Sequence, residues 1–246
     1  MSNRPFEIVD HYVNYKFLAL IIKKIKENPN RKVIILDLGG GVESKTARGI
    51  LGHPFLKGKV KVINSDLFAR QISQEELEAE GINKEDILIT NEDFSIDRSI
   101  EDNSVDAIIS YQVLDNIGDK KLIPTLENAA RVLAPGGEAY MDEMWRITRG
   151  TGFGGPFMVF PGLLQSGGAL QGIANRQNVL ISSTHRETTL DGRTFIFGAG
   201  FGMIYMAKPY TKGVYDFPNV NDFNLSFPEI SEALKDYGVK LPGEEK

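Results

Sequence analysis

The sequence predicts an α/β protein with a mostly parallel sheet of seven strands, an antiparallel last strand and helices on both faces. Short continuous apolar runs recur along the chain, as expected of strands buried on both faces of a sheet. Helical patterns separate these runs, which favours right-handed βαβ units. Near the end, two strand-like runs flank Asp191-Gly192, a dipeptide typical of a tight hairpin because both residues tolerate positive φ.

The first half of the chain supplies three of the strands. Apolar residues at helical spacing predict an amphipathic helix over residues 5–26, which Asn28-Pro29-Asn30 ends. A continuous apolar run predicts a strand at 33–36, followed by three glycines and a short helix over 43–51. The other elements predicted here are a strand at 60–65, a helix at 74–80 and a strand at 87–89.

The second half of the chain continues the alternation of strands and helices and then departs from it. A strand is predicted at 105–111 and a helix at 119–133, with Asp119 as its cap and Pro124 in its first turn. Residues 150–172 are rich in glycine, which favours a mobile segment with a short helix. The remaining predicted elements are strands at 137–144, 179–189 and 194–208 and a short helix at 229–237.

These elements indicate one core with two extensions. At 246 residues, the chain is long enough for a single large domain with a modest insertion. We expect an N-terminal helical cap over residues 1–30 and a ligand-binding core over 31–208 that carries the 150–172 insertion as a lid. A C-terminal extension is expected over 209–246.

The composition narrows the possible chemistry and partners. The absence of cysteine removes disulfides, thiolate nucleophiles and cysteine-ligated metal clusters. The net charge of −5 disfavours nucleic acid, which a basic face would attract. No His, Asp and Glu cluster has ligand spacing, so no metal is expected. The chain shows neither a signal peptide nor an apolar run long enough to span a bilayer, so a cytoplasmic protein without membrane contact is expected.

The first strand leads into the segment VIILDLGGGVES, which has the features of a nucleotide-type site. Its glycines allow close approach of a ligand to the backbone, and the following helix offers free amides at its N-terminus. Asp37 ends the first strand and Asp66 ends the second, where a carboxylate can accept hydrogen bonds from ribose hydroxyls. Two alternatives stay open: the glycines serve tight packing, and Asp66 caps a following turn.

The stretch 33–144 resembles the core of the Rossmann-like methyltransferases that use S-adenosylmethionine (SAM). VIILDLGGG is similar to the first motif of that family, and VKVINSDLF to the second. NEDF at 91–94 resembles the segment that contacts adenine. DNSVDAIISYQVLDNIGD and LENAARVLAPGGEAYMDE resemble the fourth strand and the turn into the fifth strand. The resemblance therefore implies a Rossmann-like fold, SAM as cofactor and methyl transfer as the reaction.

Carried over by position, the resemblance implies a set of cofactor-binding residues. Gly39 and Gly41 would hold the methionine end of SAM, with Asp37 just before them. Glu43 departs from the family, which often has a third glycine at this position. The other implied contacts are Asp66 to the ribose, Leu67, Asp93 and Phe94 around the adenine, and Ser110 and Tyr111 near the reactive methyl group.

The acceptor is expected to be a small or medium-sized molecule methylated on oxygen, nitrogen or carbon. Cytosine-C5 methylation needs a cysteine, and the segment after the fourth strand reads SYQV instead of the amino-methyltransferase motif N-P-P-Y. The candidates for catalysis are His185 and Asp115, with Trp145 and Arg146 as further polar groups near the substrate. A non-catalytic SAM-binding relative and a nicotinamide-dependent oxidoreductase remain alternatives, and an oligomer is left open.

Overall fold

The computed structural model describes residues 12–53, 55–111, 113–114, 117, 119–146, 168–186, 189–190, 193–194 and 199–210. These residues belong to two compact units, one reaching Asn91 and one beginning at Glu92. Two predicted elements lie outside the described residues: the helix at 229–237 and most of the 150–172 lid. The division into a cap at 1–30, a core at 31–208 and an extension at 209–246 stays a prediction.

The first unit is a three-stranded parallel arrangement with helices. Its strands lie in the order β3-β2-β1, and both neighbouring pairs are parallel. Leu38 pairs with Ser65, and Ser65 pairs with Thr90, so the carboxyl ends of the three strands meet at one edge. The elements are α1 (Tyr12–Glu27), β1 (Val33–Leu38), α2 (Lys45–Gly52), β2 (Val60–Ser65), α3 (Gln74–Ala79), a 3-10 helix (Lys84–Asp86) and β3 (Ile87–Thr90).

Burial explains why these segments form strands and helices. Both β1 and β2 are buried along almost their whole length, as a continuous apolar run requires in a parallel strand. From α1, Phe17 and Ile21 are completely buried, four residues apart on one helical face. Helix α3 begins with a capping box in which the side chains of Ser73 and Glu76 each accept a hydrogen bond from the other's backbone amide.

The second unit carries the antiparallel part of the fold. Its main strands lie in the order β4-β5-β9-β6, with β4 parallel to β5 and β9 antiparallel to both β5 and β6. Strands β7 and β8 form a separate antiparallel pair. The elements are β4 (Val105–Tyr111), α4 (Asp119–Val132), β5 (Leu133–Arg146), α5 (Gly168–Gln177), β6 (Leu180–Arg186), β7 (Thr189–Leu190), β8 (Arg193–Thr194) and β9 (Ala199–Ala207).

The predicted fold class is confirmed: the protein is a mixed α/β structure with mostly parallel strands and an antiparallel last strand. The hairpin differs in detail. Leu190 pairs with Arg193, so β7 and β8 bracket the predicted turn residues Asp191 and Gly192, which lie outside the described residues. Each of the two long strands expected on either side of this turn is instead two strands, β6 and β7 before the turn and β8 and β9 after it. Of these, β6 and β9 pair in the main sheet.

Three boundaries differ from the prediction for local reasons. Helix α2 begins at Lys45, because Ser44 takes a left-handed conformation with φ 50° at the cap position. Pro124 lies inside α4 beyond the first turn, where its missing N–H removes one helical hydrogen bond. Strand β5 begins at Leu133 and not at 137, because its register with β4 shifts at a bulge before Glu138.

Candidate functional site

The glycine loop, residues 39–43, follows directly after β1. Gly39 and Gly41 have φ of 72° and 75°, a left-handed conformation that residues with a side chain rarely adopt. The Gly39 amide donates to the Ser65 carbonyl at 2.7 Å, which holds the loop to the end of β2. A Cβ atom at Gly41 would meet no heavy atom within 4 Å, so the loop faces open space there.

The acidic loop, residues 66–70, follows β2 and is hydrogen bonded to the glycine loop. Asp66 Oδ2 accepts from the Gly41 amide at 3.0 Å, and Asp66 Oδ1 accepts from the Phe68 amide at 2.7 Å. The contact with Phe68 closes a local turn, as the capping interpretation of Asp66 expects. Each carboxylate oxygen keeps a further acceptor site, which leaves Asp66 able to accept ligand hydroxyls.

Apolar side chains stand exposed beside this polar contact. The exposed fractions are 48% for Val42, 51% for Leu67 and 73% for Phe68. Exposed apolar groups clustered beside polar ones are typical of a binding surface. Phe68 was not predicted as a site residue, although an aromatic residue two positions after the acidic strand end was a readable signal.

Two buried hydroxyl groups at the strand ends lack hydrogen-bond partners. They are Ser65 Oγ and Thr90 Oγ1, which belong to paired positions of β2 and β3. Buried polar atoms are nearly always satisfied in folded proteins, and exceptions call for an explanation such as a ligand or water. Both residues adjoin the acidic loop: Asp66 follows Ser65 in the chain, and the Asp66 amide donates to the Thr90 carbonyl at 3.2 Å.

Asp37 lies beneath the glycine loop and not on its surface. Its side chain is buried and accepts a hydrogen bond from the Ala47 amide, while Oδ2 has no partner. Burial, with a smaller contribution from the charge of Asp66, raises the pKa of Asp37 to about 7. A Cβ atom at Gly40 would overlap Asp37 Oδ2, so the loop needs glycine there to cover this carboxyl group.

The Glu43 side chain pairs with Arg70 of the acidic loop. Arg70 Nε donates to Glu43 Oε2 at 2.9 Å, and the Glu43 side chain is 46% exposed. The hydrogen bond from Arg70 holds the pKa of Glu43 below its usual value. Glu43 stands where the family often has a third glycine, and its side chain is held in an ion pair at the surface.

The predicted residues of the second unit have other partners. Both oxygens of Asp93 are engaged: Oδ1 accepts from the amide and hydroxyl of Ser95 at 3.1 and 2.7 Å, and Oδ2 pairs with Lys121 at 2.6 Å. The bond from Lys121 contributes most to a lowered pKa of Asp93. Phe94 is buried, and its carbonyl accepts from Asn128 at 2.6 Å. The role of these residues toward adenine stays a prediction.

The remaining predicted residues lie at strand ends or outside the described part. Ser110 is buried with an unpartnered hydroxyl, and Tyr111 is half-buried at the end of β4. His185 lies on β6 opposite Gly202 of β9. Asp115 lies outside the described residues. The described part of the chain contains no cluster of three metal-ligating side chains and no helix long and apolar enough to cross a membrane.

A glycine turn after one parallel strand and an acidic residue after the next are features that nucleotide-binding sites of the Rossmann type share. Residues 36–141 also match the family model described as "Methyltransferase domain". This match covers less than half of the chain, and it agrees with the resemblance of the sequence to the Rossmann-like SAM-dependent methyltransferases. The match favours a methyltransferase over the nicotinamide-dependent alternative.

Solved structures resemble this chain at low sequence identity. The phosphoethanolamine N-methyltransferase 2 of Haemonchus contortus, in complex with phosphomonomethylethanolamine and S-adenosylhomocysteine, has a TM-score of 0.52 and 15% identity. The match covers 78% of this chain and 52% of that one. A TehB-like SAM-dependent methyltransferase from Corynebacterium glutamicum has a TM-score of 0.41 and 22% identity, over 77% and 87% of the two chains. No curated protein sequence matches this chain significantly.

Proposed function

We propose that this protein transfers the methyl group of SAM to an oxygen, nitrogen or carbon centre of a small or medium-sized molecule. SAM would bind at the glycine loop and the acidic loop. The observation that carries this proposal is the contact between the Gly41 amide and the Asp66 carboxylate at the carboxyl ends of β1 and β2. Open sheets of this kind bind ligands at that edge.

Each group of this site has a task that suits its chemistry. Asp66 would accept hydrogen bonds from the ribose hydroxyls, since its oxygens retain acceptor capacity beside their bonds to Gly41 and Phe68. The exposed side chains of Leu67 and Phe68 would pack against the apolar faces of the adenine ring. The open space at Gly41 would receive the methionine end of the cofactor.

SAM supplies an electrophilic methyl group on a sulfonium. The protein has to bind the acceptor, orient its nucleophilic atom in line with that group and exclude water, and such positioning supplies much of the rate. A general base is needed only where the acceptor loses a proton. His185 and Asp115 remain our candidates for that role, and the glycine-rich 150–172 segment for a lid that excludes water.

The charge of the chain supports a small acceptor over a nucleic acid. The net charge is −5, whereas binding to a phosphate backbone gains free energy by counterion release at a basic surface. Aromatic residues in the predicted lid, Phe153, Phe157 and Phe160, would favour a partly apolar acceptor. The acceptor class is therefore proposed to be a metabolite-sized, partly apolar molecule.

A methyl-transfer screen tests this proposal. SAM labelled on its methyl group is incubated with the protein and, separately, with metabolite pools, total RNA, DNA and protein extract. We expect label in the metabolite fraction, and label only in RNA or DNA would contradict the proposed acceptor. Asp66→Ala is the matched variant: calorimetry should show SAM binding weakened by about 1.5–3 kcal/mol, which is tenfold or more. Binding of SAM without transfer to any fraction would favour the non-catalytic alternative.

A further inference from the structure

We infer that Glu43 and Arg70 are positioning residues for the cofactor: their ion pair holds the glycine loop and the acidic loop together in the arrangement that receives SAM. The inference rests on the proposed location of SAM at these two loops. It assigns a task to a side chain that stands where the family often has a third glycine.

Three contacts join the two loops at successive residues. The Gly41 amide donates to the Asp66 carboxylate at 3.0 Å. The Arg70 amide donates to the Val42 carbonyl, also at 3.0 Å. The Arg70 guanidinium then reaches Glu43, with Nε and Nη2 at 2.9 and 2.8 Å from Oε2. Residues 41, 42 and 43 are thus each tied to the acidic loop.

Arg70 is fixed from a second side by α3. Its two terminal nitrogens donate to both carboxylate oxygens of Glu76 at 2.9 and 2.7 Å, a bidentate geometry that restricts the guanidinium plane. Glu76 is in turn held by the Ser73 amide, to which its Oε2 bonds at 3.0 Å. The guanidinium is therefore already oriented by a helix when it presents Nε to Glu43.

The expected effect of this pair is on ligand binding and not on global stability. Arg70 and Glu43 are 36% and 46% exposed, and ion pairs this exposed contribute little to the free energy of unfolding. A contact that fixes two surface loops in their binding arrangement does, however, lower the entropic cost of ordering them when the ligand arrives. The signature of a positioning role is therefore weaker affinity at nearly unchanged stability.

Calorimetric titration with S-adenosylhomocysteine tests this role in Glu43→Gln, Arg70→Gln and the double variant. Each single change should weaken the Kd about two- to fivefold, and the double variant should bind no more weakly than the weaker single variant. Arg70→Lys, which keeps the charge, should restore part of the affinity. The melting temperature of the ligand-free variants should stay close to that of the wild type, and high salt should reduce the differences in Kd.

The matched control is Glu127→Gln, which removes the partner of Arg176 in an exposed arginine–glutamate pair that contacts neither loop. It should bind S-adenosylhomocysteine as the wild type does. Wild-type affinity in Glu43→Gln, strictly additive losses in the double variant, or tighter binding in Glu43→Gly would each overturn the inference. If Asp66→Ala also binds as the wild type does, the proposed location of SAM is wrong. If Asp66→Ala loses affinity and the Glu43 variants do not, only the positioning role fails.

Discussion

At the scale of single residues, Asp37 makes the free energy of unfolding depend on pH. Its carboxyl group is buried beneath Gly40, and burial raises its pKa from 3.8 to about 7. Between these two values the folded protein keeps a proton that the unfolded chain has lost. The free energy of unfolding should therefore fall as pH rises through this window and level off above it, by an amount on the order of a few kcal/mol.

The variant Asp37→Asn isolates this contribution, because it keeps the shape of the side chain and cannot ionise. We expect it to be about as stable as the wild type near the lower end of the window and more stable above pH 7. Urea unfolding at a series of pH values measures the difference between the two proteins. That difference also cancels contributions common to both, such as the buried His53, whose pKa is lowered by burial. Parallel stability curves for the two proteins would contradict the expectation.

At the same scale, the sequence identified most of the polar groups at the strand ends but not their partners. Gly39, Gly41 and Asp66 could be predicted because a strand followed by glycine or aspartate is a local pattern. The pairing of Glu43 with Arg70 could not, because it joins side chains 27 positions apart through the packing of two loops. Asp93 shows the same limit, since its bond to Lys121 spans 28 positions.

At the scale of elements, α3 depends on its cap. The helix has only six residues, so intrahelical hydrogen bonds alone hold it weakly. Ser73 Oγ accepts from the Glu76 amide at 3.2 Å, and Ser73→Ala should therefore lower the free energy of unfolding by about 0.5–2 kcal/mol. Ser73→Asp keeps an acceptor at this position and should stay close to the wild type. Urea unfolding, with hydrogen exchange at the amides of α3, measures both variants, and equal protection in all three proteins would count against the cap.

Strand and helix positions were more predictable than their ends. Residues 60–65 and 105–111 agree with β2 and β4 at both ends, because continuous apolar runs are what strands buried on both faces require. The start of β5 was predicted wrongly. A bulge depends on the register with a neighbouring strand, so it produces no periodic pattern of apolar residues in the sequence. Pro124 was expected in a first turn, yet α4 accommodates it further inside, where tertiary packing outweighs the local preference.

At the scale of the whole molecule, the match to a methyltransferase domain bears on which cofactor the protein should recognise. The match covers residues 36–141, and the proposed contacts to SAM at residues 39–41 and 66–68 lie inside that range. A ligand that binds only the folded state raises its stability by mass action. The choice between SAM and a nicotinamide cofactor can therefore be made without knowing the acceptor.

Melting curves with SAM, S-adenosylhomocysteine and NADH should separate these ligands. At a concentration about one hundred times the Kd, a ligand specific for the folded state adds about 2.7 kcal/mol, which raises the Tm by roughly 5–10 °C for a chain of this size. We expect such a rise with SAM and S-adenosylhomocysteine and none with NADH. Asp66→Ala at the same ligand concentration should lose most of the rise, and an equal rise with NADH would contradict SAM specificity at this site.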